Sequence, residues 1–271
     1  MTISNVTVGL DGSPASEGLL RWADELTARS AGRLQAVTAW HLPYLTASAD
    51  LVAVTPPVLE IEEQTRKSLS GVIEAAPRNS QIEPIVSQGG PARVLMDASA
   101  TDDLLIVGRR GTGSLRALGS TSRHCAIHAS CPVAVVPTGA APLGETPDVA
   151  VAVDGSHTAA LALAWVLTNF PGAAVAAFNS QGRHDVAASK VLGSTIAAAY
   201  EIAQVEAPVE PIALEGDPRA SVLEAAKQRE LLVVGDRGHG GVAGLLLGSF
   251  ATYAVGHAPP PLPVVVVRST P

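Results

Sequence analysis

VTVGLDGSPASEGLLRWADEL, from Val6 to Leu26, is the stretch from which the rest of the chain can be read. It gives a Val-rich strand near residues 5–10, then Asp11 and Gly12, then a helix near 15–30. The same pattern returns as VAVAVDGSHTAALALAWVLTN from Val149 to Asn169. The second passage sets Asp154 on Asp11, Gly155 on Gly12, Ser156 on Ser13 and Trp165 on Trp22.

Three more blocks repeat in the same order. IEPIVSQGGPARVLMDAS at Ile82 returns as VEPIALEGDPRASVLEAA at Val209, and LLIVGRRG at Leu104 returns as LLVVGDRG at Leu231. CPVAVVP at Cys131 corresponds to LPVVVVR at Leu262. Four blocks in one order establish an internal duplication. The copies are offset by 143 residues at the aspartates and by 127 at the glycines, so the second is shorter in its middle. PTGAAPLGETP, from Pro137 to Pro147, reads as a linker. The expected organisation is a first domain over 1–137, a linker over 138–147 and a second domain over 148–271.

Each copy alternates short Val-rich runs with helical segments. Strands are expected near 5–10, 33–40, 82–87, 103–108 and 132–136, and again near 148–153, 173–178, 209–215, 230–235 and 263–268. Helices are expected near 15–30, 57–76, 91–100 and 119–129, then near 157–169, 185–204, 218–228 and 248–257. Continuous apolar strands joined by helices predict two α/β domains, each a parallel sheet covered on both faces.

Composition agrees. Of the 271 residues, 47% are hydrophobic but only 3% aromatic, which suits close-packed helix–sheet layers. Mean hydropathy is +0.28, yet no apolar run approaches the roughly 18 residues of a spanning helix. No signal peptide is read at the N-terminus, so a cytoplasmic protein without a membrane partner is expected. Net charge is −7, and the 18 basic residues are scattered, which argues against nucleic acid as a partner. Cys125 and Cys131 are too few for a disulfide framework and lack zinc spacing, so they read as buried bystander thiols.

In an open α/β sheet, ligands gather beyond the carboxyl ends of the strands. Asp11 and Asp154 follow the first strands, and Gly108 and Gly235 follow the fourth. A loop without β-carbons lets main-chain N–H groups approach a polyanion, and the helix at Gly248-Ser249 adds unpaired amides and a positive dipole end. The loop is neither a P-loop nor a dinucleotide fingerprint, since no Gly-Lys-Ser/Thr follows and it stands after the fourth strand. A plain tight turn is the competing reading.

GDRGHGGVAGLLLGS resembles the nucleotide loop of universal stress proteins, written Gly-x2-Gly-x9-Gly-Ser/Thr. Gly235, Gly238, Gly248 and Ser249 fit that spacing, and VDGS and GDPRASVL resemble further family features. The resemblance spans nearly the whole chain as a tandem pair. It implies doubly wound five-stranded sheets of order 3-2-1-4-5, packed as a pseudo-dimer through their last strands. It also implies binding of ATP or another adenine nucleotide (ADP or AMP), with or without Mg2+, in bacterial adaptation to stress. Carried over by position, Asp154 contacts adenosine, Gly235, Gly238, Gly248 and Ser249 cradle phosphates, and Ala177 offers a backbone contact to adenine. The first-copy equivalents are Asp11, Ala39, Gly108, Gly111, Gly119 and Ser120.

The first copy departs from the pattern, with seven residues between Gly111 and Gly119 instead of nine. Two missing residues shorten the chain's reach by about 7 Å, which ranks the second site above the first. Arg109, Arg110 and Arg116 stand in that shorter loop, either as phosphate ligands or as a solvated basic edge. Asp11 and Asp154 read as helix caps or ribose contacts before catalytic bases. His239 is a candidate for γ-phosphate contact, whereas His124 and His128 lack carboxylate partners. With no catalytic triad, nucleophile elbow or metal triad, the expectation is a nucleotide-binding sensor or regulator, at most a slow ATPase. A nucleotide-free protein that binds a protein partner or forms a homodimer is the alternative.

Overall fold

In the computed structural model, the described residues are 2–41, 58–76, 79–109, 118–180, 185–238 and 247–269. The first half runs β1 (Asn5–Gly9), α1 (Ala15–Ala28), β2 (Arg33–Trp40), α2 (Val58–Ala75), β3 (Gln81–Gln88), α3 (Pro91–Ala98), β4 (Leu104–Gly108), α4 (Ser120–His128) and β5 (Val133–Val136). The second repeats it as β6 (Asp148–Ala152), α5 (His157–Asn169), β7 (Ala174–Ser180), α6 (Asp185–Ala203), β8 (Val209–Leu214), α7 (Pro218–Ala226), β9 (Leu231–Gly235), α8 (Ser249–His257) and β10 (Val264–Val267). Among these elements no helix is long and apolar enough to cross a membrane.

All ten strands form one sheet of order β3-β2-β1-β4-β5-β10-β9-β6-β7-β8. Within each half the strands are parallel, and the halves join where β5 and β10 pair antiparallel. The chain is thus two doubly wound sheets, each of order 3-2-1-4-5, fused through their last strands about a pseudo-twofold axis.

Alternation along the strands sends side chains to both faces. Leu104 and Ile106 meet the layer of α1, α2, α5 and α6, while Leu105 and Val107 meet that of α3, α4, α7 and α8. Both apolar layers run without a break across the two halves. Each fully buried Val or Leu contributes about 1.5–3 kcal/mol, so the shared layers bind the halves into one body.

The outer strands carry Pro84 and Pro211, the middle residue of the repeated Glu-Pro-Ile block. A proline removes one main-chain donor and is tolerated at the edge of a sheet. Cys125 and Cys131 lie buried in the α4 layer. Burial pushes the Cys125 thiol up to about 12 and raises that of Cys131, so both stay protonated and shielded. A thiol reagent such as DTNB at pH 8 should leave both untouched in the native protein and titrate both after unfolding.

Two arginines cross the pseudo-twofold. Arg109, directly after β4, is buried, and its guanidinium donates to Gly256 O and to Ala258 O at the end of α8. Arg268, directly after β10, donates to Ile127 O at 2.5 Å and to Ala126 O at 3.4 Å at the end of α4. Each half thus caps the final carbonyls of the other half's last helix, where a positive charge opposes the negative dipole end. Arg109, expected at a phosphate or on a solvated edge, is instead part of this clamp. Arg109→Met should lower unfolding free energy by about 2–3 kcal/mol, because buried carbonyls lose charged donors. Arg268→Met should cost less, and urea denaturation of both variants checks the order.

Candidate functional site

The site is built where β1, β2 and β4 end. Leu10 N–H still donates to Val37 O at 2.9 Å, which holds the β1 exit beside β2. Gly12 then turns at φ +72°, a conformation that favours glycine. Asp11 is exposed, and its Oδ1 accepts from Ser13 N at 3.0 Å and Ser16 Oγ at 3.2 Å. The carboxylate therefore organises the first turn of α1 while remaining at the mouth of the crevice.

The glycine loop closes at its neck. In the first half Gly119 N–H donates to Arg109 O at 2.9 Å, and in the second Gly248 N–H donates to Asp236 O at 2.6 Å. The two-residue contraction therefore leaves the start of α4 in place relative to β4. The first bonds within the helices are Arg123 N–H to Gly119 O and Thr252 N–H to Gly248 O, both 2.9 Å. The amides of Ser120, Thr121 and Ser122 precede the first-half bond and have no acceptor within α4, nor do those of Ser249, Phe250 and Ala251 within α8. Neither N-terminal glycine brings a capping side chain. Ser122 Oγ donates to Gly108 O at 2.5 Å and ties α4 to the end of β4.

A cavity of about 590 Å³ opens in the first half. Asp11, Ser13 and Ser16 form one wall, Ala39 and His41 the β2 end, and Gly108 with Gly119 to Ser122 the opposite wall. Thr138 to Ala140 complete the rim. The volume lies within the range for small-molecule sites. Asp11 is the one carboxylate among the described lining residues, which include no Lys or Arg. Hydroxyls and main-chain amides dominate, and they suit a ligand with both sugar and phosphate character. Among the described residues no group of three or more metal-ligating side chains assembles.

In the second half the described ends of the loop pack closely on the first turn of α5. Asp154 is half-buried, and its Oδ1 accepts from Ser156 N at 3.0 Å and Ser156 Oγ at 2.6 Å. A β-carbon on Gly238 would stand 2.4 Å from Asp154 Oδ2, and one on Gly235 would stand 2.8 Å from Thr158 O. Thr158 Oγ1 also donates to Arg237 O. The counterpart of Thr158 is Ala15, which has no hydroxyl, so the first half cannot make this tie. Spacing alone ranks the second site ahead; among the described residues, the cavity of about 590 Å³ is that of the first half.

Of the expected residues, the cavity gathers Asp11, Ala39, Gly108, Gly119 and Ser120. Gly111 lies outside the described residues, as do Arg110, Arg116 and His239. In the second half Gly238 lies against Asp154 and Gly235 against Thr158, with Gly248 buried and Ser249 exposed at the start of α8. Ala177 requires a correction. It is wholly buried inside β7, where it offers no backbone to a ligand. Gly9 pairs with Val37 and Ala152 with Phe178, so the counterpart of Ala39 is Ser180, whose Oγ donates to Gly216 O at 3.1 Å. Sequence reading also passed over Thr121, Ser122 and Thr138, although three consecutive hydroxyl residues after Gly119 were visible.

Comparison with known proteins follows the duplication. The profile of the universal stress protein family matches residues 2–137 and again 147–268. A universal stress protein of Mycobacterium tuberculosis is 26% identical, covering 98% of this chain and 97% of its own. One of Mycolicibacterium smegmatis is 29% identical, with 97% and 96% covered. The crystal structure of a universal stress protein from Archaeoglobus fulgidus superposes with a TM-score of 0.72 at 22% identity, covering 98% of each chain. The tight second-half loop gives a direct check. Gly238→Ala should destabilise the protein by about 1–3 kcal/mol, since the new methyl must displace a hydrogen-bonded carboxylate, and a urea unfolding curve measures it.

Proposed function

The chain belongs to the universal stress protein family, and we propose that its first domain binds an adenine nucleotide as a sensor or regulator in stress adaptation. The observation that carries this reading is the cavity of about 590 Å³ set between Asp11 and the first turn of α4. ATP is the proposed ligand, and ADP and AMP share its recognition chemistry.

The chain's residues fit such a ligand. Ala39, at the carboxyl end of β2, offers backbone to the base. Asp11 is placed to accept from ribose hydroxyls. The amides of Ser120, Thr121 and Ser122 and the hydroxyls of Ser120 and Thr121 line the wall where phosphate oxygens would lie, while the Ser122 hydroxyl stays on Gly108 O. A helix dipole contributes about 0.3–1 kcal/mol to anion binding, so the amides and hydroxyls carry most of the affinity. Asp11 is the single described lining carboxylate, so a Mg2+ ion would be held chiefly by phosphate oxygens and water. That donor set supports binding over turnover, since phosphoryl transfer calls for a positioned base and fixed metal ligands.

The second domain is proposed as the weaker half, because Gly238 lies directly on Asp154 and Gly235 on Thr158. Calorimetry should show ATP binding in the micromolar range, about −8 kcal/mol. Gly119 has φ −58°, a backbone conformation that any residue adopts. Gly119→Glu should abolish the binding heat by setting a carboxylate against the phosphate wall, while Gly248→Glu should leave most of it. Equal ATP binding by Gly119→Glu and wild type would refute the first-domain site.

A further inference from the structure

The linker forms part of the first-domain cavity. It leaves β5 at Pro137, and its first residues, Thr138, Gly139 and Ala140, line the rim. Gly139 turns at φ +83°, and Ala140 N–H donates back to Pro137 O at 3.2 Å. Thr138 is exposed at this rim. Among the described residues, its hydroxyl makes no hydrogen bond.

The second domain uses the same position differently. Ser269 is the counterpart of Thr138, and its amide and hydroxyl donate to Asp236 Oδ1 at 3.3 and 3.2 Å. Arg237 donates to the Ser269 hydroxyl at 2.6 Å. Asp236 corresponds in turn to Arg109, whose guanidinium donates to the α8 carbonyls across the pseudo-twofold. Replacing a buried carboxylate by a cation removes the acceptor that fastens Ser269. The Thr138 hydroxyl is consequently left at the cavity to engage a ligand.

Strand order decides which part of a ligand reaches it. β2, β1, β4 and β5 lie side by side in that order, so Ala39, Asp11, Gly108 and Thr138 succeed one another along the crevice. With the base at Ala39 and the sugar at Asp11, the phosphates pass the first turn of α4 toward the start of the linker. We propose that Thr138 is a phosphate-binding residue and that a bound phosphate fixes the first turn of the linker. This rests on the nucleotide reading above. The linker's far end is already tied to both domains. Arg29 donates to Gly144 O at 2.6 Å, and the Glu230 carboxylate accepts from the amides of Gly144 at 2.9 Å and Asp148 at 2.8 Å. Nucleotide loading in the first domain is therefore registered in a segment that both domains hold.

The test compares wild type, Thr138→Val and Thr138→Ser for ATP and adenosine binding by calorimetry. Hydrogen exchange of the amides of Thr138 to Ala141 is followed with and without ATP. Thr138→Val keeps the side-chain shape and should bind ATP about tenfold more weakly, the loss expected for one hydroxyl donor to a charged acceptor. Adenosine affinity should be unchanged, and Thr138→Ser should restore ATP affinity. ATP should slow exchange at these amides in wild type and not in Thr138→Val. Equal ATP affinity in wild type and Thr138→Val, or unprotected linker amides in ATP-saturated wild type, would overturn the proposal while leaving nucleotide binding intact. Absence of ATP binding by wild type would overturn the nucleotide reading, and this proposal with it.

Discussion

The antiparallel contact of β5 with β10 is the constraint on which the molecule depends. Val135 faces Val264, Ala134 faces Val265 and Val133 faces Val266. Six small apolar residues thus join two five-stranded sheets. Without that pairing each half would expose an edge of unpaired amides and carbonyls beside an apolar strand. With it, both helical layers become continuous, and the crossed arginines fasten helix ends that would otherwise leave buried carbonyls unsatisfied. The halves are two repeats in sequence but one packed body in space.

Once the halves are fused, their loops are free to diverge. Three paired positions show how. Ala15 faces Thr158 in the alignment of the copies, and the threonine hydroxyl, which alanine lacks, donates to Arg237 O. Arg109 stands opposite Asp236: the arginine stabilises the junction, whereas the aspartate secures the end of its own domain. Thr138 and Ser269 follow from that second exchange. None of these changes touches a strand, so one scaffold carries loop ends that are fastened differently in its two halves.

Most of the fold was legible because its cause is local. Val-rich runs of strand length, ended by glycine or aspartate and separated by helical segments, can be read without knowing what packs on what. The pairing of the last strands was of another kind. It came from the family resemblance, since composition does not say which edge a sheet uses. Asp11, Gly108 and Gly119 were found because each belongs to a repeated block. Ala177 was misplaced because β7 is rich in alanine and its register is set by hydrogen bonds to β6, which a one-dimensional alignment does not contain. Arg109 escaped for a similar reason, since its carbonyl partners lie 147 and 149 residues away.

The repeated Glu-Pro-Ile block places Pro84 and Pro211 on the two outermost strands. Both open margins of the ten-stranded sheet are therefore interrupted, one main-chain donor missing from each. Growth by docking a further strand, the usual route to fibrils and runaway stacking, meets an obstacle at either margin. Higher-order association, where this chain undergoes it, is steered toward helical surfaces or loops, and those can be remodelled without disturbing the ladder that holds the protein together.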